Sequence, residues 1–407
     1  MTSLAKAIPA DHVRRHGSGF WTVAYALLIV MAFATLPSPL YGLYRIRDHL
    51  SSLMITVVYA IFAGSTIVTL LAVPSIAARI GRRGVMLAAV ATTTAAAGLL
   101  AASRALPVLF VGRLLSGASV GLAAGTAVTY LIELRLRADP NAPLLRARNI
   151  GTSVTVGALG VGPLIAGLLA QWVKWPLTVP YLVWIVFGVV ALVSLWLVPE
   201  TGTPTPRVTT TSRPRGSGSA RLPIPAAAGT MAAFAASGLF AGLAGLILAT
   251  TLRHPAHALS GATLFLVFAS GVASQTATTR LRASRVLALG TISMLAGLVA
   301  LVVSVRLSTP SLALFLLSGA LIGAGLGAVF KGTTGIVLEA AAPENRLAVT
   351  SALLVALYVG LSIPVVGAGI ALNQGASTPN TVLAFAILVA VGVTVSGWAL
   401  LRRPQSG

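Results

Sequence analysis

Twelve apolar runs of membrane-spanning length follow one another along this chain, separated by short stretches of Arg, Pro or polar residues. They fall near 19–42, 53–78, 85–102, 107–132, 149–170 and 177–198, then near 227–250, 261–279, 286–305, 311–338, 347–371 and 381–401. A helix rising 1.5 Å per residue needs roughly 20 apolar residues to cross a bilayer. Lipid offers no partner to an unpaired backbone N–H or C=O, so each run is expected to be a helix. A soluble core is excluded by composition: 9% of the residues are charged and 57% are hydrophobic, against about 25% charged in soluble domains. The expected fold is an all-α membrane protein of twelve transmembrane helices in two six-helix halves.

The formal net charge of +21 would suggest nucleic acid in a soluble protein. Here the basic residues sit between apolar runs and form no continuous face, so no nucleic-acid partner is expected. The first apolar run is too long for a signal peptide and lacks a small-residue cleavage site, and it reads as a span that stays. Without cysteine there is neither disulfide nor thiolate chemistry.

The basic residues set an orientation. Twenty of the 28 lie in segments on the side of the N-terminus and six on the other, with Arg113 and Lys331 inside spans. Both termini are therefore expected in the cytosol, in the inner membrane of a cell. Residues 1–198 and 227–407 form the two halves. Residues 199–226, which include the Pro-, Thr- and Ser-rich "TGTPTPRVTTTSRPRGSGS", read as a cytoplasmic linker. The halves repeat one another: Glu133 aligns with Glu339, Pro163 with Pro364 and Gly167 with Gly369. Two repeated halves around a midplane site is a transporter plan.

Several motifs on successive spans resemble the major facilitator superfamily across nearly the whole chain. The stretch "PSIAARIGRR" matches the loop between that family's second and third spans at Arg79, Gly81, Arg82 and Arg83, with Pro74 and Ala78 in place of its Gly and Asp. "RLLSGASVG" is similar to the arginine motif of span 4, with Arg113 in the arginine position. "GALGVGPLIAG" on span 5, holding Gly157, Gly162, Pro163 and Gly167, is similar to the Gly-Pro motif of drug exporters in the family. The resemblance implies a secondary transporter exporting small apolar or amphipathic molecules by alternating access. It also implies a cytoplasmic gate at the arginine loop. Arg79 or Arg82 is expected to meet Glu133 when the cytoplasmic side closes, and the repeat predicts Glu339 against Arg280 or Arg282. A metabolite or sugar importer, and a receptor or scaffold on the same fold, stay open as alternatives.

A charge inside a span costs at least about 2.5–3.5 kcal/mol. Arg113 and Lys331 are therefore candidate substrate-site residues, with a snorkelling anchor as the alternative for each. Lys331 precedes Glu339 by eight residues, about two helical turns on nearly one face. Tyr41, Tyr59, Gln275, Phe330 and Tyr358 are candidate lining residues of a mixed aromatic cavity, with lipid-facing or packing roles as the alternative. Pro37 and Pro39 should break the end of span 1. None of the seven acids falls in the middle of a predicted span, so proton coupling through a buried carboxylate is not available, and whether protons are a partner stays open. No metal-ligand cluster, nucleophile–base pair or phosphate loop is present, so neither enzyme chemistry nor a cofactor is expected. The expected partners are the lipid bilayer and a small-molecule substrate, and the chain is expected to act as a monomer.

Overall fold

The structure is a computed structural model that describes residues 10–139, 144–201, 222–342 and 345–402. Most of the predicted linker therefore lies outside the described residues. The described chain is helical, and no strand occurs among the described residues.

The first span is broken, as its prolines require. Helix α1 (Ala10–Thr35) ends ahead of Pro37, a 3-10 turn follows at Ser38–Leu40, and α2 (Tyr41–Asp48) completes the crossing. A proline ring removes one N–H and clashes with the preceding turn, so the straight helix cannot run through. Next comes α3 (Ser52–Ala102), 51 residues long. At 1.5 Å per residue such a helix would extend about 77 Å, against roughly 30 Å of hydrocarbon. It is two spans, because Gly81 at φ 72, ψ 174 interrupts the helical backbone. Positive φ is cheap only for glycine. The arms 52–80 and 82–102 are spans 2 and 3, so eleven apolar membrane-length segments make twelve crossings.

The remaining spans are α4 (Leu106–Ala138), α5 (Leu144–Trp172), α6 (Val179–Trp196), α7 (Ile224–Thr250), α8 (His257–Ala277), α9 (Ala283–Arg306), α10 (Leu312–Ala340), α11 (Arg346–Asn373) and α12 (Thr378–Leu401). An even number of crossings puts both described chain ends on one side, here called the terminal face. The other side is the opposite face.

Side-chain exposure sorts the spans. Val186 and Val193 on α6, Ile292 and Val299 on α9, and Leu388 and Val395 on α12 are all more than half exposed. These helices form the lipid-facing rim. By contrast, the stretch from Ile29 to Tyr41 is buried on every side, as is Ala233–Ala244 on α7. Five of the six tryptophans are exposed: Trp172 and Trp175 near the opposite face, and Trp21, Trp196 and Trp398 near the terminal face. They mark two aromatic belts where amphipathic rings favour the headgroup level.

The two halves meet chiefly through α5 against α8 and the first arm of α3 against α11. At Gly167 an added Cβ would lie 2.5 Å from His257 O and 3.1 Å from Gly261 Cα, so only glycine permits this crossing. Beside it, His257 N donates to Gln171 Oε1 at 2.9 Å. Gly369 on α11 likewise abuts Thr56 at the start of α3. All of these contacts lie toward the opposite face, where they hold the halves together.

Candidate functional site: a terminal-face brace and a buried polar cluster

The arginine loop is held by carboxylates on either side of it. Arg82 Nε lies 2.6 Å from Glu133 Oε2 on α4, close enough for an ion pair though without hydrogen-bond alignment. Glu200, just past α6, accepts from Arg82 N at 3.2 Å and from Arg83 N at 3.0 Å. These are the first amides of the arm 82–102. A carboxylate there satisfies orphan donors and meets the positive end of the helix dipole. Gly81 is needed twice over, because a Cβ on it would stand 2.7 Å from Glu200 Oε2.

Further contacts close the network. Thr201 Oγ1 donates to Glu133 Oε2 at 2.7 Å, Tyr130 OH donates to Pro199 O at 2.8 Å, and Arg137 donates to Thr201 O. Arg83 reaches Trp196 O and lies over the Trp196 ring, 5.6 Å from its centroid. Residues 199–201, read from sequence as the start of a loose linker, are thus bound into the first half.

Every described member of this network belongs to the first half, and Arg82 meets Glu133 while the halves are in contact toward the opposite face. A latch between halves needs one partner from each, so the geometry describes a brace within one half. The repeat-derived counterpart is not formed among the described residues: Glu339, Arg280 and Arg282 are all exposed, and no ion pair joins them. Arg79 is exposed.

Deeper in the first half, Arg113 is fully buried. Its Nη1 donates to Ala34 O at 2.8 Å, and its guanidinium lies over the Phe62 ring, 4.5 Å from the centroid. Tyr41 and Tyr59 are buried within electrostatic reach of this charge. Tyr358, from α11 of the other half, meets Phe62 edge to face at 6.3 Å. Four of the seven candidate substrate residues (Arg113, Tyr41, Tyr59 and Tyr358) thus converge from four elements near the boundary of the halves.

The other three lie elsewhere. Lys331 Nζ donates to Gln275 O at 2.5 Å and to Thr278 Oγ1 at 3.3 Å. It caps the end of α8, where a cation favours the negative end of the helix dipole. By helical rise Lys331 is about 28 Å from the opposite-face end of α10 and Arg113 about 10 Å from that of α4, so they occupy different depths. Phe330 packs edge to face with Phe234 at 5.4 Å. The span 5 motif divides in the same way. Gly162 lies against Ala32 O of α1, whereas Pro163, Gly167 and, more loosely, Gly157 face α8 across the boundary. Pro364 lies inside α11.

A family model described as "Sugar (and other) transporter" matches residues 17–203, the first of the two halves. The whole fold is similar to a crystal structure of the nucleoside transporter NupG, solved as a point mutant. The TM-score is 0.69 over 94% of this chain and 98% of that one, at 9% sequence identity. No curated protein sequence matches. The first half thus matches a transporter-family sequence pattern, and the fold is similar to that of this nucleoside transporter.

Proposed function

We propose that this chain is a secondary transporter of the major facilitator superfamily, moving small apolar or amphipathic molecules by alternating access. The observation that carries the reading is the distribution of contacts between the halves. They are tight toward the opposite face, around Gly167 and Gly369. Such halves can rock about a central site, opening one face as the other closes. The Arg113 cluster lies between the halves at the level of the seal, where a bound solute would be enclosed.

With the terminal face cytosolic, a tight seal at the opposite face favours loading from the cytosol and therefore export. The span 5 motif supports this direction, because Pro163 and Gly167 help form that seal. The brace of Arg82, Glu133 and Glu200 keeps the first half rigid while it moves. Uptake is the second reading. It is favoured by the sugar-transporter match in the first half and by the likeness to a nucleoside transporter.

Purified protein in proteoliposomes tests the function. Counterflow of radiolabelled solutes from a panel of sugars, nucleosides and amphipathic organic ions should exceed that of protein-free vesicles. Absence of flux for the whole panel, from protein shown to be folded, would favour a receptor or scaffold. Direction follows from comparing right-side-out with inverted membrane vesicles.

A further inference from the structure

The Arg113 cluster holds more hydrogen-bond donors than acceptors. Arg113 uses Nη1 on Ala34 O and, at 3.5 Å, on Ser116 Oγ, while its Nε and Nη2 are buried without a partner. The hydroxyls of Tyr41 and Tyr59 are also buried without a partner. Buried polar groups are nearly always paired, and an unpaired buried charge is the costliest exception. Four unmet atoms in one cluster indicate a missing partner rather than a packing fault.

No described residue supplies that partner. The ion pairs among the described residues are Arg47 with Asp48 and Arg82 with Glu133. Asp48 is at the opposite-face end of α2, and the other described carboxylates, Glu133, Asp139, Glu200 and Glu339, belong to the terminal-face ends of their helices. The Phe62 ring offers its negative face to one side of the guanidinium, and its edge-bearing N–H groups remain unmet.

We propose that this cluster binds an anionic group of the transported solute, a carboxylate, phosphate or sulfonate, and that the solute provides the counter-charge that no described residue supplies. The proposal rests on the transporter reading and narrows its substrate to amphipathic anions. A guanidinium presents parallel N–H groups that match two oxygens of such an anion. The hydroxyls of Tyr41 and Tyr59 add neutral donors. The organic body of the solute would rest on Phe62 and Tyr358, one ring from each half, so that binding bridges the boundary.

A cavity beside the cluster has matching charge. Tyr41 also lines a cavity of about 390 Å³ at the opposite face, between the first span and α7. Its ionisable lining consists of Tyr41, Arg45 and His49, with no carboxylate. An anion held in this cavity therefore meets no repelling group in its lining.

Equilibrium binding to the purified full chain in detergent tests the proposal without requiring transport. The labelled probe is phenylacetate, and the competitors are phenylacetamide, phenethylamine, inorganic phosphate and inorganic sulfate. The expected result is displacement of phenylacetate by the inorganic anions and at least tenfold weaker competition by the neutral amide and the amine. Tyr59→Phe removes one hydroxyl and keeps the ring, and should weaken phenylacetate binding about tenfold. Arg113→Lys keeps the charge and loses the fork, and should weaken it further. Both are conservative enough to be checked for folding by gel filtration. Equal binding of phenylacetate and phenylacetamide, no detectable binding of any anion, or unchanged binding in both folded variants would overturn the proposal. Anion binding without flux in proteoliposomes would instead sink the transporter reading and leave the anion site standing.

Discussion

Replacing Glu200 by Ala removes the carboxylate that caps the third span. Two hydrogen bonds to the amides of Arg82 and Arg83, at 3.2 and 3.0 Å, are lost. A hydrogen bond to a charged group contributes about 1.5–3 kcal/mol when buried. Here the site is only partly buried, and water will replace part of the loss, so the combined cost is about 2 kcal/mol. That corresponds to roughly a 30-fold rise in the population with the loop released, since 1.4 kcal/mol is tenfold. The chain has no cysteine, so a single Ala78→Cys reporter beside the loop can be read cleanly with a maleimide. Its modification rate should rise about tenfold to 30-fold on Glu200→Ala, and the detergent-solubilised protein should melt at a lower temperature. Glu200→Gln, which keeps one acceptor oxygen, should fall between the two. An unchanged modification rate with an unchanged melting temperature would mean that Glu200 follows the loop passively, and the brace would fail as an explanation of "GRR".

Gly81→Ala should destabilise the same region by about 1–3 kcal/mol, because φ 72 with ψ 174 is a backbone region open essentially to glycine alone. Part of that loss should vanish in a Glu200→Ala background, where the clash with the carboxylate is gone, as melting curves of the single and double variants would reveal. Lys331→Gln should cost only about 0.3–1 kcal/mol, the worth of a cation at a helix C-terminus, and leave flux intact; flux lost from folded protein would return Lys331 to the transport path. Gly167→Leu should wedge α5 from α8, raise labelling of a Cys at Gly42 from the opposite face and stop flux, whereas a normal rate would show that the seal tolerates the side chain. A single Cys at Arg137 should react from the cytosolic side only and one at His49 from the external side only; the reverse pattern would invert the proposed orientation.

The architecture was legible because lipid permits few alternatives. Apolar run length gave the twelve crossings, and the prolines at 37 and 39 located the break in the first span. The pairing of Arg82 with Glu133 followed from a loop motif and a charge at the neighbouring helix end. Glu200 was hidden because it opens a polar, proline-rich stretch whose composition reads as linker. What holds it is tertiary, a pair of amides more than a hundred residues away in sequence. Lys331 has partners that the sequence hid. A cation two turns before Glu339 on one face suggests a cavity, yet its nearest acceptors are at the end of α8, which helical spacing within α10 does not reveal. The repeat likewise promised a second brace at Glu339, but among the described residues Glu339 is exposed and joins no ion pair. Convergence of Tyr41, Tyr59 and Arg113 depends on how three elements cross, and no periodicity within one of them records it.

The central claim is that the two halves exchange a sealed opposite face for a sealed terminal face. Distance distributions between spin labels measure this directly in the cysteine-free chain. One pair at Trp172 and Arg253 spans the halves at the opposite face, and another at Arg79 and Arg346 spans them at the terminal face. The account predicts two populations for each pair, moving in antiphase: conditions that lengthen the first distance shorten the second. A single unchanging distance for both pairs, in membranes and with every solute of the transport panel, would contradict it.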